Sequence, residues 1–295
     1  MWEAQRKSGF GVRGWRGRLR RLLACGMLVA MPAAARIEVH GHRGARAVLP
    51  ENTLPGFEYA IEAGADYLEL DLQVTKDGVL VVSHDPVLRE DLCRGPEGAT
   101  RVIHQMTLAE LRRWDCGSLQ APGFPHQKPV PGARVPTLDE VLDLAGRGEF
   151  GFNIEIKVPR RPGYAPPVGE FARLVVEAVR RHRLEKRVIV QSFHFPAIRE
   201  VKRLAPELRT AALWSGKERD FAEIAREAGA EIVSPHYRLV TKEQVDRAHA
   251  AGIEVVPWTA NEPQIWERLA AASVDAIITD DPAALIAWLK KRGLR

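Results

Sequence analysis

Glu69 and Asp71 stand two residues apart in an apolar run, and Asn153, Glu155 and Lys157 keep the same spacing in another. In an extended strand, alternate side chains point the same way, so each set shares one face. Carboxylates gathered in a protein interior are costly unless they are paired or bind a metal. Three hard oxygen donors favour Mg²⁺ or Ca²⁺ over zinc. Two histidines accompany them, His42 in His42-Arg43-Gly44 and His84 in Ser83-His84-Asp85-Pro86. Imidazoles that titrate near neutrality can take and give protons at one pH. Arg43 can fork onto a phosphate, and Gly44 permits close backbone approach. His104, His126, His182 and His249 read as structural.

These residues need a frame that brings them together. The chain alternates strand and helix patterns: Ile37–His42, helix Leu54–Ala63, Asp66–Val74, Phe150–Lys157, helix Val168–His182, Arg187–Phe193 and helix Pro196–Leu204. It continues with Arg209–Trp214, a helix near Arg219–Glu227, Glu231–Ser234, helix Thr241–Ala250, Ile253–Thr259, helix Pro263–Ala272, Asp275–Thr279 and helix Pro282–Lys291. Eight strand–helix units predict an α/β fold, a (β/α)8 TIM barrel. Its active site belongs where the strands end. The polar strand ends include Glu69, Asp71, Glu155, Lys157, Gln191, Trp258 and Asp280, with Trp258 a candidate substrate contact. Asp77-Gly78 between apolar runs is a hairpin turn, so Val79–His84 is an antiparallel arm that returns His84 toward the mouth. Residues 85–136 break the rhythm, with only Thr107–Arg113 helical, and read as an insertion over the mouth.

The chain has 295 residues, 45% hydrophobic and 27% charged, which excludes a disordered chain, a collagen and a multi-span membrane protein. Residues 1–35 carry a net charge of +6 and the whole chain +5, so the body is at −1 and has no overall pull toward nucleic acid. Seven basic residues, a short uncharged run and Pro32-Ala33-Ala34-Ala35 resemble a signal peptide. The run is shorter than the roughly 20 residues a membrane span needs. Export to the periplasm or outside the cell is expected. A basic leader, or a later start at Met31 with a cytoplasmic product, is the alternative. Cys93 and Cys116 are expected either to pair in an oxidising compartment or to remain separate thiols.

His42-Arg43-Gly44, Pro50-Glu51-Asn52-Thr53, Glu69-Leu70-Asp71, Thr75-Lys76-Asp77-Gly78 and Ser83-His84-Asp85-Pro86 together resemble the glycerophosphodiester phosphodiesterase family. The likeness continues through Asn153-Ile154-Glu155-Ile156-Lys157, Gln191-Ser192-Phe193, Trp258-Thr259-Ala260-Asn261 and Ile278-Thr279-Asp280. The resemblance implies a divalent metal on Glu69, Asp71 and Glu155. It implies acid and base roles for His42 and His84, and a phosphate held by Arg43 and Lys157. It further implies that the glycerol 2-hydroxyl attacks, giving a cyclic phosphate that water opens. The small-molecule substrate would be a glycerophosphodiester. Ala260 and the length of segment 85–136 depart from the family pattern, and the insertion bears on head-group choice.

Three other readings are open to the sequence. A zinc amidohydrolase would use His40-Gly41-His42 with Lys157, His194, His236 and Asp280, but it leaves Glu69, Asp71 and Glu155 without a role. A non-catalytic binding protein would hold the diester without turnover. A lysophospholipid-cleaving relative would need an acyl groove, for which Phe124 and Trp114 are the candidates.

Overall fold

The structure, a computed structural model, describes residues 36–295. The expected leader lies outside the described residues. Eight parallel strands are β1 (Glu38–Gly41), β2 (Tyr67–Val74), β4 (Gly151–Ile156), β5 (Val188–Ser192), β6 (Arg209–Trp214), β7 (Ile232–Pro235), β8 (Glu254–Val255) and β9 (Ala276–Thr279). They pair in the order β8-β7-β6-β5-β4-β2-β1-β9. The seam between β8 and β9 is closed by backbone bonds from Asp275 to Val255, Ile278 to Pro257 and Ala260 to Ile278. This is a nearly closed (β/α)8 barrel, as the alternation predicts.

Alternation of side chains divides each strand between two environments. Leu68, Leu70 and Leu72 of β2, with Ile154 and Ile156 of β4, point outward into a core shared with the helices. Glu69, Asp71 and Gln73 take the other face and are buried inside the barrel. The helices are amphipathic on the matching period. In α4 (Val168–His182), Phe171, Ala172, Val175, Val176 and Val179 form the buried stripe.

Most expected elements end within one or two residues of those observed, and two differ more, each for a local reason. The ladder of β8 covers only Glu254–Val255, because Pro257 has no N–H to donate. The path nevertheless continues to a bridge between His236 and Trp258. The helix that follows β2 and its arm is α3 (Leu138–Leu142), which was not expected. It forms because Thr137 and Glu140 cap each other reciprocally.

The hairpin arm is as predicted. Strand β3 (Leu80–Val82) pairs antiparallel with β2, with Leu72 opposite Val82. Beyond it, the insertion has its own core of Val81, Leu88, Ile103, Met106, Leu111, Trp114 and Val135. It includes the short helix α2 (Leu108–Leu111), capped by Thr107 and Glu110. A disulfide joins Cys93 to Cys116. The insertion is tied to the loop after β1 by Gln127, whose amide donates to the Arg46 and Leu49 carbonyls at 2.7 and 3.2 Å. Trp114 packs inside this core, and Phe124 lies under the Arg46 guanidinium. Neither supplies an acyl groove at the mouth.

The disulfide closes a loop with a sequence separation of 23 residues. Restricting the unfolded chain in this way contributes about 3 kcal/mol in the chain-entropy account. Reduction, or Cys93→Ser, is expected to lower the thermal midpoint. An unchanged midpoint in differential scanning calorimetry would refute that contribution.

Candidate functional site

Register brings the carboxylates together. In the β2–β4 ladder Glu69 lies opposite Asn153, and Asp71 opposite Glu155. In the next ladder Glu155 lies opposite Gln191. One oxygen from each of Glu69, Asp71 and Glu155 lies within 4.8 Å of the others, and all three residues are buried. Lys157, the residue just past the end of β4 and two beyond Glu155, reaches Glu155 at 2.9 Å and Asp71 at 3.2 Å.

The loop after β1 supplies the other cation. Arg43 Nε lies 3.3 Å from Asp71, and its Nη1 donates to Glu51 at 2.8 Å. Its backbone N–H donates to Glu69 Oε2 at 2.9 Å. Asn52 donates its side-chain amide to Asp71 Oδ2 at 2.9 Å. Arg43 and Asn52 hold φ of +51° and +54°, a left-handed conformation uncommon for residues other than glycine. The bonds to Glu69 and Asp71 hold this strained backbone in place. Gly44 makes the turn possible: its φ is +87°, and a Cβ there would come 2.7 Å from the Gly56 carbonyl carbon.

His42 follows directly from β1. Its Nδ1 is 2.5 Å from Asp280 Oδ1 at the end of β9, and its Nε2 is 4.0 Å from Glu69. Asn261 donates to the second Asp280 oxygen at 2.6 Å and accepts from the Asp280 backbone N–H at 2.9 Å. Burial pulls the His42 pKa below the usual imidazole value, against the opposing pull of Asp280. Asp280, also buried, is held below the usual carboxylate range by His42 and Arg46. His84 comes from the far side of the arm. Its carbonyl accepts from Gln73 at 3.1 Å and its Nδ1 lies 3.0 Å from Asp85.

His42, Arg43, Glu69, Asp71, His84, Glu155, Lys157 and Trp258 all line one cavity of about 250 Å³ at the barrel mouth. Every candidate site residue is therefore in one place. Trp258 anchors its indole N–H on the Ser234 carbonyl at 2.8 Å and meets Phe193 edge-to-face. The sequence assigns no role to Asn52, Gln191, Glu51 or Asn261, and gives Asp280 one only in the zinc reading. Gln191 and Asp280 carried a signal, since both are polar at strand ends. Gln191 donates to Glu69 Oε1 at 2.9 Å.

The electrostatics suit a cation. Desolvation, Asp71 and Glu155 push Glu69 well above the usual carboxylate range. Desolvation raises Glu155 to about 7, against the pull of Lys157. Asp71 is buried too, but Lys157 and Arg43 hold it well below the ordinary range. Three buried carboxylates face Arg43 and Lys157, so when all three are ionised they exceed the two cations, and the donors they offer are all oxygen. That donor set fits a hard divalent ion.

The glycerophosphoryl diester phosphodiesterase family matches residues 42–284. The chain belongs to this family. It is an enzyme, a phosphoric diester hydrolase. A glycerophosphodiester phosphodiesterase of Caldanaerobacter subterraneus is 36% identical over 257 residues, covering 86% of this chain and 98% of its own. One of Bacillus subtilis is 33% identical, covering 84% of each chain. The crystal structure of a family member from Silicibacter pomeroyi superposes with a TM-score of 0.81 at 35% identity, covering 88% of this chain and 95% of its own. An Oleispira antarctica phosphodiesterase, solved with its product sn-glycerol-3-phosphate, superposes with a TM-score of 0.73 at 25% identity, covering 86% and 97%.

Family membership removes the zinc amidohydrolase reading, and the geometry agrees. His40 is buried one layer below the carboxylates, against Tyr67 and 3.3 Å from Asn153. Burial lowers its pKa to about 3. His236 stacks on Tyr237 and does not line the mouth. Among the described residues, no helix is long and apolar enough to cross a membrane.

Proposed function

We propose that the site hydrolyses glycerophosphodiesters, such as glycerophosphocholine or glycerophosphoethanolamine, to glycerol 3-phosphate and an alcohol. Glu69, Asp71 and Glu155 would hold the divalent ion, Ca²⁺ or Mg²⁺. When bound, it supplies Lewis acidity toward the phosphoryl oxygens and offsets charge that builds up on them. Arg43 and Lys157 bind the phosphate and stabilise the same charge. Trp258 closes the side of the mouth where glycerol would sit. The single observation that carries this reading is the shared cavity: two imidazoles, three cations (Arg43, Arg46 and Lys157) and three carboxylates around about 250 Å³.

Proton transfer falls to the histidines. Asp280 engages His42 at Nδ1 and leaves Nε2 toward the cavity. One imidazole removes the proton from the glycerol 2-hydroxyl as its oxygen forms a bond to phosphorus. The other gives a proton to the alcohol oxygen as its bond to phosphorus breaks. Water then opens the cyclic phosphate with the proton movements reversed. The test is glycerophosphocholine turnover with added Ca²⁺ or Mg²⁺ and again with chelator, products identified by mass spectrometry. Choline and glycerol 3-phosphate that appear only with metal are the expected result. Undiminished turnover in chelator would overturn the metal's part, and no turnover on either named substrate would overturn the hydrolysis.

We also infer that residues 1–35 direct export and that the enzyme works in the periplasm or outside the cell. The basic leader with its Ala-rich end supports this, and so does the Cys93–Cys116 disulfide, a bond favoured by oxidising compartments. Intact-mass measurement on protein from the producing cell is expected to find the leader removed. A cytoplasmic protein retaining it would refute the inference.

A further inference from the structure

A second cavity, of about 370 Å³, opens beside the first. The two share His84, Glu155, Lys157 and Phe193, so they are adjoining compartments of one mouth. His42 lines only the first. A substrate spanning both would place its reacting phosphate at the shared wall, with His84 between the halves. The first cavity, with Trp258, Leu213 and Ile278 beside the carboxylates, is the smaller. It suits the part common to all substrates, the glycerol phosphate. The larger one is then the compartment of the leaving alcohol.

Its charged side chains, among the described residues, are the paired Glu155 and Lys157 and, beyond them, Arg160. Arg160 faces it from the segment after β4, and His194 from the start of α5 (Phe195–Leu204). Among the described residues, Glu155 is the only carboxylate on its wall, and Lys157 already binds it at 2.9 Å. Arg160 is exposed, and among the described residues no carboxylate pairs with it. The neighbouring Arg161 instead stacks on Tyr164. Among the described residues, Phe193, 45% exposed, is the only aromatic ring on this wall besides the His84 and His194 imidazoles, so no cage of phenyl or indole rings encloses a quaternary ammonium group.

We propose that this cavity is the leaving-group subsite, and that Arg160 makes it favour alcohols carrying an anionic group. This rests on the proposed hydrolysis. An exposed guanidinium facing a phosphate forms a charge-assisted, bidentate contact that salt weakens. The preference is therefore modest and specific to Arg160.

The test compares glycerophosphoinositol with glycerophosphoinositol 4-phosphate, which differ only by a phosphate on the leaving alcohol. On the full chain with metal added, kcat/KM is expected to be about fivefold higher for the phosphorylated substrate. Arg160→Ala is expected to abolish that ratio without lowering turnover of plain glycerophosphoinositol. Arg160→Lys should keep part of it, and raised salt should shrink it. Equal kcat/KM on the two substrates, or a ratio unchanged in Arg160→Ala, would overturn the inference and leave the hydrolysis standing. Preference for glycerophosphocholine over both would also overturn it. No turnover of either inositol substrate, in a preparation that cleaves glycerophosphocholine, counts against the subsite alone. No turnover of any of the three counts against the proposed function as well.

Discussion

Replacing His42 with alanine is expected to lower kcat by about 10³-fold, with KM changed little. The imidazole sits between Asp280 at 2.5 Å and the carboxylate cluster, with Nε2 turned toward the cavity. A group that moves a proton only in the transition state contributes to kcat and not to ground-state binding. His84→Ala should cost a similar factor. Because the two act in one reaction, the double variant should lose far less than the product of the single losses. Asp280→Asn separates positioning from proton transfer. The amide keeps the shape but cannot hold His42 in the tautomer that leaves Nε2 free, so a loss of about 10²-fold or more is expected. Folding is checked by the thermal midpoint of each variant. His42→Ala protein that retains near-full turnover would remove His42 from the chemistry.

Much of this arrangement was legible in the sequence because strand alternation is rigid. Two residues apart on a strand means one face, so Glu69 with Asp71, and Glu155 with Lys157, had to share the barrel interior. Asp77-Gly78 dictated an antiparallel arm, which returned His84 to the mouth. What was not legible depends on contacts between distant segments. Asp280 lies 238 residues from His42, and no local pattern shows that β9 neighbours β1 at that level. Asn52 reaches Asp71 only because the chain adopts a left-handed turn that asparagine shares with few residues. The α3 helix had a local signal, the Thr137–Glu140 capping pair, but is only five residues long. The pairing of Cys93 with Cys116 required the insertion's own core to bring them together.

Adding Ca²⁺ or Mg²⁺ should stabilise the fold, and by more at pH 8 than at pH 5. Without a cation, burial raises Glu155 to about 7 from an unfolded value near 4.5. Glu69 is raised further by burial and by its two carboxylate neighbours. A carboxyl whose folded pKa is raised binds its proton more tightly in the native state. Native stability therefore falls as pH rises from about 4.5, and the cost from Glu155 is complete above about 7. For a shift of this size that cost is roughly 3 kcal/mol. A bound cation favours the ionised form, so it opposes this cost where the cost is greatest. At pH 5 it must instead compete with protons on Glu69 and Glu155 and binds weakly. The thermal midpoint with and without metal, measured across this range, is expected to separate progressively as pH rises. Calorimetry near pH 6 should also detect proton release on binding. Glu155→Gln removes one ligand and one of the raised groups together, leaving Lys157 its contact with Asp71 at 3.2 Å. That variant should gain little from metal at any pH and lose activity by about 10³-fold, since removing a ligand weakens the charge stabilisation on which the reaction depends. A metal-induced shift equal at pH 5 and pH 8 would mean that these carboxylates do not hold the ion.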